Sequence, residues 1–265
     1  AISIDKNNYN AFFNLGNLYK EINKLDKSIE NLNEAIKINK NFYNAYHNRA
    51  VVKRLLFRFE DAIKDFDEAL KINPKYFDSL FFKAITQLKI GDYENGWKNY
   101  EYRWETTNFP SPKRKFIQPC WNGTDNLNDK IILLHGEQGL GDNIHFSRYF
   151  GLIKSKAKKT ILQIDKKLVQ LFKDSNFGNY IFSNDEELPN FDIHCPLLSL
   201  PYKFSTTLNN IPFNDKYLFP NIDRVIKWKK TFDNKFYNVG INWQASPNPD
   251  LDKGRSFKLK YFNDI

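Results

Sequence analysis

The sequence predicts a multidomain chain: an all-α solenoid of helical repeats, followed by a Rossmann-like α/β domain. Three observations carry this expectation. Short motifs recur 34 residues apart in the first part of the chain. Residues 131–150 run from an apolar stretch through a glycine-rich turn into an apolar-periodic segment, the order of strand, turn and helix. Beyond them, short apolar runs alternate with helical patterns, as in a parallel sheet covered by helices.

The repeats come first. Ala1-Ile-Ser-Ile-Asp-Lys6 aligns with Ala35-Ile-Lys-Ile-Asn-Lys40 and with Ala69-Leu-Lys-Ile-Asn-Pro74. Asn7-Asn-Tyr-Asn-Ala11 aligns with Asn41-Phe-Tyr-Asn-Ala45. A period of 34 is the mark of tetratricopeptide repeats, two helices per unit. Phe12, Leu15, Gly16 and Tyr19 recur at helical spacing in the first unit, with Ser28, Leu32 and Ala35 on its second helix. Tyr46, Ala50, Ala62, Phe66, Ala69 and Pro74 hold the matching places in the next. Small residues mark where paired helices approach closely.

The third unit departs from the pattern. Gly96 keeps the small-residue place, but Arg103 stands where Ala35 and Ala69 stand, among Tyr93, Trp97, Tyr100, Tyr102 and Trp104. Two readings stay open: a terminal repeat that packs on the next domain, or an ordinary capping helix. Ala1 matches the middle of a second helix and the chain has no methionine, so a fragment holding part of one repeat and three more, over 1–106, is expected.

Composition bounds the function. Of 265 residues, 41% are hydrophobic and 16% aromatic, enough to bury a core. No apolar run approaches the roughly 20 residues that span a bilayer, and no leader opens the chain, so no transmembrane segment and a cytoplasmic location are expected. Cys120 and Cys195 form no CxxC pair, and the four histidines show no HxxxH spacing, so no metal is expected. The net charge of +9 is spread among Asn and Ile without a dense basic run. Nucleic acid is not an expected partner; a basic groove for a phosphorylated ligand is the weaker alternative.

Residues 107–130, with Pro110, Pro112, Pro119 and Gly123, read as a linker, with Trp121 as a packing anchor. The α/β domain is expected over 131–235. Its strands fall at 131–134, 160–165, 179–182 and 191–195, and its helices at 166–173 and 221–231. Residues 197–220 read as an irregular loop of the kind that lines a site. A further strand at 236–243, a Ser/Pro/Gly loop and a helix from Arg255 read as the start of a second, truncated α/β domain, a second anion-site pattern.

Glu137-Gln-Gly-Leu-Gly-Asp142, followed by Ile144, Phe146, Arg148 and Tyr149, resembles bacterial tetratricopeptide-repeat glycosyltransferases related to the ADP-heptose:lipopolysaccharide heptosyltransferases. Val239-Gly-Ile-Asn-Trp-Gln-Ala-Ser246 and Arg255-Ser-Phe-Lys-Leu-Lys-Tyr-Phe262 resemble the start of their donor domain, and 91–104 resembles their repeat-bearing branch. The resemblance implies a GT-B fold with 131–235 as its acceptor-side half. It implies transfer of a sugar from a nucleotide-sugar to a protein or glycan acceptor, with no metal and no cofactor beyond that donor. Asp142 would be the general base. Glu137, Gln138, Gly139, Gly141 and Arg148 would bind substrate, and Ser246 and Arg255 would face the donor diphosphate. The repeats would recruit the acceptor or a partner, such as a peptide in their groove. Heptosyltransferases proper lack the repeats, so heptose is not implied. Protein O-GlcNAc transferases also pair such an array with a GT-B enzyme, but their catalytic histidine has no match in this chain.

On residue type alone, other roles stay open. Asp142 stands where a helix N-cap would stand. Glu137 fits an alternative base or a loop carboxylate. The glycines suit a tight turn, and neither GxGxxG nor a Walker lysine is present. His135 and His145 read as packing or hydrogen-bonding residues. Arg148 suits a substrate anion or a neighbouring carboxylate, and Arg255 a phosphate or a solvated helix start. The rival function is a non-catalytic repeat scaffold with a degenerate α/β part. Residues 1–265 alone are expected to be inactive.

Overall fold

The computed structural model describes residues 5–107, 109–175, 177–212, 216–232, 237–241 and 256–262. The chain forms two compact units, Ala1–Phe219 and Pro220–Ile265.

Six helices in three consecutive pairs open the first unit: α1 (Tyr9–Glu21) with α2 (Leu25–Ile38), α3 (Tyr43–Leu55) with α4 (Phe59–Ile72), and α5 (Phe77–Ile90) with α6 (Tyr93–Tyr100). The small residues sit at the crossings. Ser28 Oγ donates to the Gly16 carbonyl at 2.7 Å, and a Cβ on Gly16 would stand 2.8 Å from Leu32 Cγ. A Cβ on Gly96 would stand 2.7 Å from Leu88 Cδ2. Gly91, at φ +88°, ends α5 in the left-handed conformation that favours glycine.

One buried histidine of the array has its pKa moved by burial. His47 is buried, with Nδ1 2.8 Å from Ser79 Oγ and its ring among Phe66, Tyr76 and Phe82. Burial lowers its pKa from 6.5 to about 4. Between those values the unfolded chain binds a proton that the folded chain refuses, so stability falls as pH drops from 6.5 toward 4 and is insensitive to His47 above that window. The loss is bounded at about 3 kcal/mol. Urea unfolding at pH 7 and pH 5 is expected to show it, and His47→Gln to flatten that slope; an unchanged slope in the variant would assign the acid sensitivity elsewhere.

After the repeats comes a parallel four-stranded sheet: β1 (Ile131–His135), β2 (Lys159–Ile164), β3 (Ile181–Ser183) and β4 (Ile193–Pro196) in the order β3-β2-β1-β4. Leu133 pairs in register with Ile161 on one side and His194 on the other. β1 is apolar and almost wholly buried, as a strand covered on both faces must be. Helices α7 (Leu140–Phe146), α8 (Phe150–Lys154), α9 (Lys166–Asp174) and α10 (Leu200–Lys203) join the strands or follow them. The four strands expected between 131 and 195 are present, with ends shifted by at most two residues. The linker lies along the outer edge of β4: the Trp121 N–H donates to the His194 carbonyl at 2.7 Å, and the His194 N–H to the Pro119 carbonyl at 3.0 Å. Trp121 is buried, as an anchor should be.

The last repeat and the sheet share one hydrophobic core. Ala84 and Tyr100 belong to the same buried cluster as Trp121, Leu134, Leu162 and Phe172. Trp97 packs edge-on against Phe146 at 5.9 Å between centroids. Of the two readings of the aromatic third repeat, packing on the following domain is the one observed, and the linker does not separate two independent cores.

Three expectations are corrected. Part of the stretch expected to be irregular is helical, a 3₁₀ turn at Leu197–Ser199 and then α10, because Leu197, Leu198 and Leu200 turn inward to the core. Residues 237–241 form no strand; an apolar run becomes a parallel strand only through a regular ladder of backbone hydrogen bonds to a neighbour. Of the helix expected from Arg255, the described residues show one 3₁₀ turn at Leu259–Phe262. In the second unit α11 (Ile222–Lys229) forms as expected, with Asn221 Oδ1 accepting from the Arg224 N–H at 3.2 Å. Among the described residues, no helix is long and apolar enough to cross a membrane.

Candidate functional site

The site lies where β1 ends. His135 is followed by the turn 136–139 and then by α7. Glycine does not act in this turn through a positive φ. The left-handed residue is Gln138, at φ 60°. It is held there by its N–H, which donates to Ser111 Oγ at 2.7 Å, and by its side-chain amide, which donates to the Tyr100 hydroxyl. Gly136 is needed for space: a Cβ there would stand 1.8 Å from Asn143 Oδ1. Asn143 brackets the turn, its Nδ2 donating to the carbonyls of Gly139 at 2.7 Å and Glu137 at 3.3 Å.

Asp142 is not the N-cap residue. Gly139 takes that place, and Asp142, three residues on, reaches back so that its Oδ2 accepts from the Gly139 N–H at 3.0 Å. That is the reciprocal half of a capping box. Its Oδ1 takes no hydrogen bond among the described residues.

Glu137 is occupied. Both its oxygens accept from Arg103, at 2.7 Å from Nη2 and 3.2 Å from Nε. Arg103 Nη2 also donates to Ser199 Oγ, and Nη1 to Glu101 and the Tyr100 carbonyl. All five guanidinium N–H groups thus find acceptors, and the group lies over the Trp104 ring at 4.6 Å. Burial opposes the charge on Arg103, but Glu137 and Glu101 outweigh it and hold its pKa above the ordinary value. Burial pushes the Glu137 carboxyl up, against the pull of Arg103. Glu137 thus clamps the last repeat to the β1 turn, with both of its oxygens engaged by Arg103.

Beside the turn is a cavity of about 310 Å³. Trp104, Ser111, Pro112 and Arg114 wall it from the repeat end and the linker. His135, Gly136, Glu137, Gln138 and Asn143 wall it from β1 and the turn, and Asp165 and Asn184 from just beyond β2 and β3. His135 Nε2 is 3.2 Å from His194 Nδ1 across the β1–β4 pair. Burial lowers the pKa of both, that of His135 well below the ordinary range.

Of the residues expected from sequence, Glu137 and Gln138 line this cavity. Asp142, Gly139 and Gly141 belong to the adjoining turn and first helical turn without lining it. Arg148 is elsewhere engaged, its Nε donating to the His145 carbonyl at 2.9 Å and its guanidinium lying over Tyr217. Ser246 and Arg255 lie outside the described residues. Sequence reasoning missed Arg114, His135 as a site residue, Asn143, Asp165 and Asn184. For Asp165 and Asn184 a signal existed, since each follows directly on a strand and ligands of parallel sheets bind at the carboxyl ends of strands. A second cleft, of about 190 Å³, lies between α6 and α10 with the segment that follows it, lined by Tyr93, Trp97 and Tyr202 among others. It holds none of the expected residues.

Comparison with known proteins speaks to the repeats. A tetratricopeptide repeat model matches residues 43–76, and a TPR repeat model matches residues 16–53. Residues 16–76 are thus tetratricopeptide repeats. Among solved structures, the chain is similar to MamA at 21% identity, over 38% of this chain and 59% of that one, with a TM-score of 0.37. It is similar to the Arabidopsis OM64 TPR domain at 21% identity, over 36% and 78%, TM-score 0.35. It is similar to YrrB, described as a TPR protein with an unusual peptide-binding site, at 16% identity, over 39% and 59%, TM-score 0.36. The chain thus spans less than two thirds of the MamA and YrrB chains. No curated protein matches it.

Proposed function

We propose that this chain is the repeat array and acceptor-side half of a glycosyltransferase of GT-B type, which moves a sugar from a nucleotide-sugar to a protein or glycan acceptor. One observation supports the reading above the others. The sheet winds from β1 outward through β2 to β3, then returns to place β4 on the other side of β1. The winding reverses beside β1, and ligands of open parallel sheets bind at such a switch point. Asp142, in the first turn of α7, stands at this end of the sheet beside the turn that lines the cavity.

In this reading Asp142 takes the proton of an acceptor hydroxyl as that oxygen attacks the anomeric carbon. The new C–O bond replaces the bond from sugar to diphosphate, which leaves as the nucleoside diphosphate. The capping bond to Gly139 orients the carboxylate through Oδ2 and leaves Oδ1 for the proton. Ser246 and Arg255 would stabilise the charge that grows on the diphosphate. The repeats would hold a protein partner or a peptide segment of the acceptor.

The test is nucleoside-diphosphate release from nucleotide-sugars by the full-length natural protein. Asp142→Asn is expected to lower turnover by about 10²-fold or more, with folding intact by circular dichroism. Turnover that survives in the variant moves the base elsewhere. A second reading, a repeat scaffold without catalysis, is favoured by the matched repeats of residues 16–76; a full-length protein that neither binds nor cleaves any nucleotide-sugar would establish it.

A further inference from the structure

We infer that Cys120 and Cys195 form a reversible thiol–disulfide couple: a hydroperoxide oxidises Cys120, and Cys195 closes an internal disulfide onto it. The inference stands apart from the transferase reading, since it needs neither a sugar donor nor turnover.

The two cysteines are far apart in the chain, and packing brings them together. Cys195 lies in β4, in register with Leu134 of β1, and is wholly buried. Cys120 lies in the linker and is exposed. An isolated parallel bridge sets Cys120 opposite His194, the residue before Cys195. Strands pair about 4.8 Å apart and rise about 3.3 Å per residue, so Cα atoms one position out of register stand roughly 6 Å apart. Disulfides span Cα separations of about 4.4–6.8 Å. Because the bridge is isolated, the side chains of the linker are not tied to the alternation of a full ladder. The two thiols are within hydrogen-bond reach of each other.

Their surroundings assign them different roles. The thiolate, not the thiol, is the nucleophile. The Cys195 S–H lowers the Cys120 pKa most, and Lys203 adds to it, against the effect of burial. Lys203 is itself paired with Glu101, at 3.2 Å. Burial pushes the Cys195 thiol well above the ordinary range. Cys120 is therefore the thiol that ionises and meets an oxidant from solvent, and Cys195 stands behind it with its proton. Oxidant-sensing cysteines are of this kind, exposed, acidified and set beside a resolving thiol.

The chemistry runs in two steps. The Cys120 thiolate attacks one oxygen of the hydroperoxide. An S–O bond forms, the O–O bond breaks, and the second oxygen leaves as hydroxide or alkoxide. Cys120 is oxidised to a sulfenic acid and the peroxide is reduced. The Cys195 sulfur then attacks the Cys120 sulfur. The S–S bond forms, the S–O bond breaks, and the hydroxyl leaves as water with the Cys195 proton. An external thiol reverses the state by exchange at the disulfide. The linker also carries Ser111 and Arg114 to the cavity wall, and its Phe116 packs on His194 at 4.8 Å between centroids. Oxidation would thus fasten one wall of the cavity to the sheet.

The test exposes the folded 265-residue chain to a slight excess of hydrogen peroxide. Free thiols are then blocked with iodoacetamide, and the peptides are mapped by mass spectrometry. A Cys120–Cys195 disulfide within one chain, reversed by dithiothreitol, is expected. Concentrated urea, which parts the linker from β4, should slow its closure about tenfold or more. In Cys195→Ala, Cys120 should stop at the sulfenic acid and take up dimedone. Cys120→Ser, a change at an exposed position, should leave Cys195 unoxidised. A wild-type chain that keeps both thiols free, that links only to a second copy, that carries Cys120 to sulfinic acid with Cys195 free, or that closes as fast in urea would overturn the inference, whatever the variants do.

Discussion

Arg103→Ala is expected to destabilise the first unit by about 3–5 kcal/mol, because it strands the Glu137 carboxylate in the core without a counter-charge. Arg103 is wholly buried, and Glu137 is 6% exposed. The cost of removing one partner exceeds the net worth of the pair, so the paired replacement Arg103→Met with Glu137→Leu is expected to recover much of the loss. Urea unfolding followed by tryptophan fluorescence and circular dichroism measures both. The pair joins the last repeat to the β1 turn, so Arg103→Ala should also separate one unfolding transition into two, with the repeats and the sheet melting apart. A loss under about 1 kcal/mol with a single transition would show that the shared apolar core joins them without the ion pair.

Gly136→Ala is expected to cost about 1–3 kcal/mol or more. Its Cβ would meet Asn143 Oδ1 at 1.8 Å, so Asn143 must leave the carbonyls of Glu137 and Gly139 and the turn loses its bracket. Gly141→Ala is the contrast. Nothing stands within 4 Å of a Cβ there, and the residue lies inside α7, so the change should fall within about 0.5 kcal/mol of neutral or stabilise slightly through helix propensity. Thermal denaturation of the two variants side by side separates packing from backbone freedom. Equal effects would mean that the turn, and not the Asn143 contact, sets the need for glycine.

The repeats were legible because their information is local and repeated. Gly16, Ala35 and Ala69 announce close helix crossings by size alone, and the 34-residue period places them. The strands were legible as short apolar runs between breakers, to within a few residues. The stretch 236–243 shows the limit of that reasoning. Its apolar residues suit a strand, but strand formation is decided by a regular ladder with a neighbour, and residues 237–241 form no strand.

The site was legible in place and not in its groups. The glycine-rich turn after β1 pointed to the right end of the sheet, and Arg103 was already visible as an intruder at a small-residue position. Its partner was not visible, because Glu137 is 34 residues away and nothing in either residue's surroundings records the other. Arg114 sits in a proline-rich linker that reads as mere connection. Which carboxylate is spent and which cation meets only neutral oxygens among the described residues depends on contacts between segments far apart in the chain. Residue type and periodicity follow from the local chain and so determined the helical pairs, the parallel strands and the turn. The pairing of charges and the walls of the cavity exist only once those elements pack, because desolvation and hydrogen-bond competition act on neighbours in space.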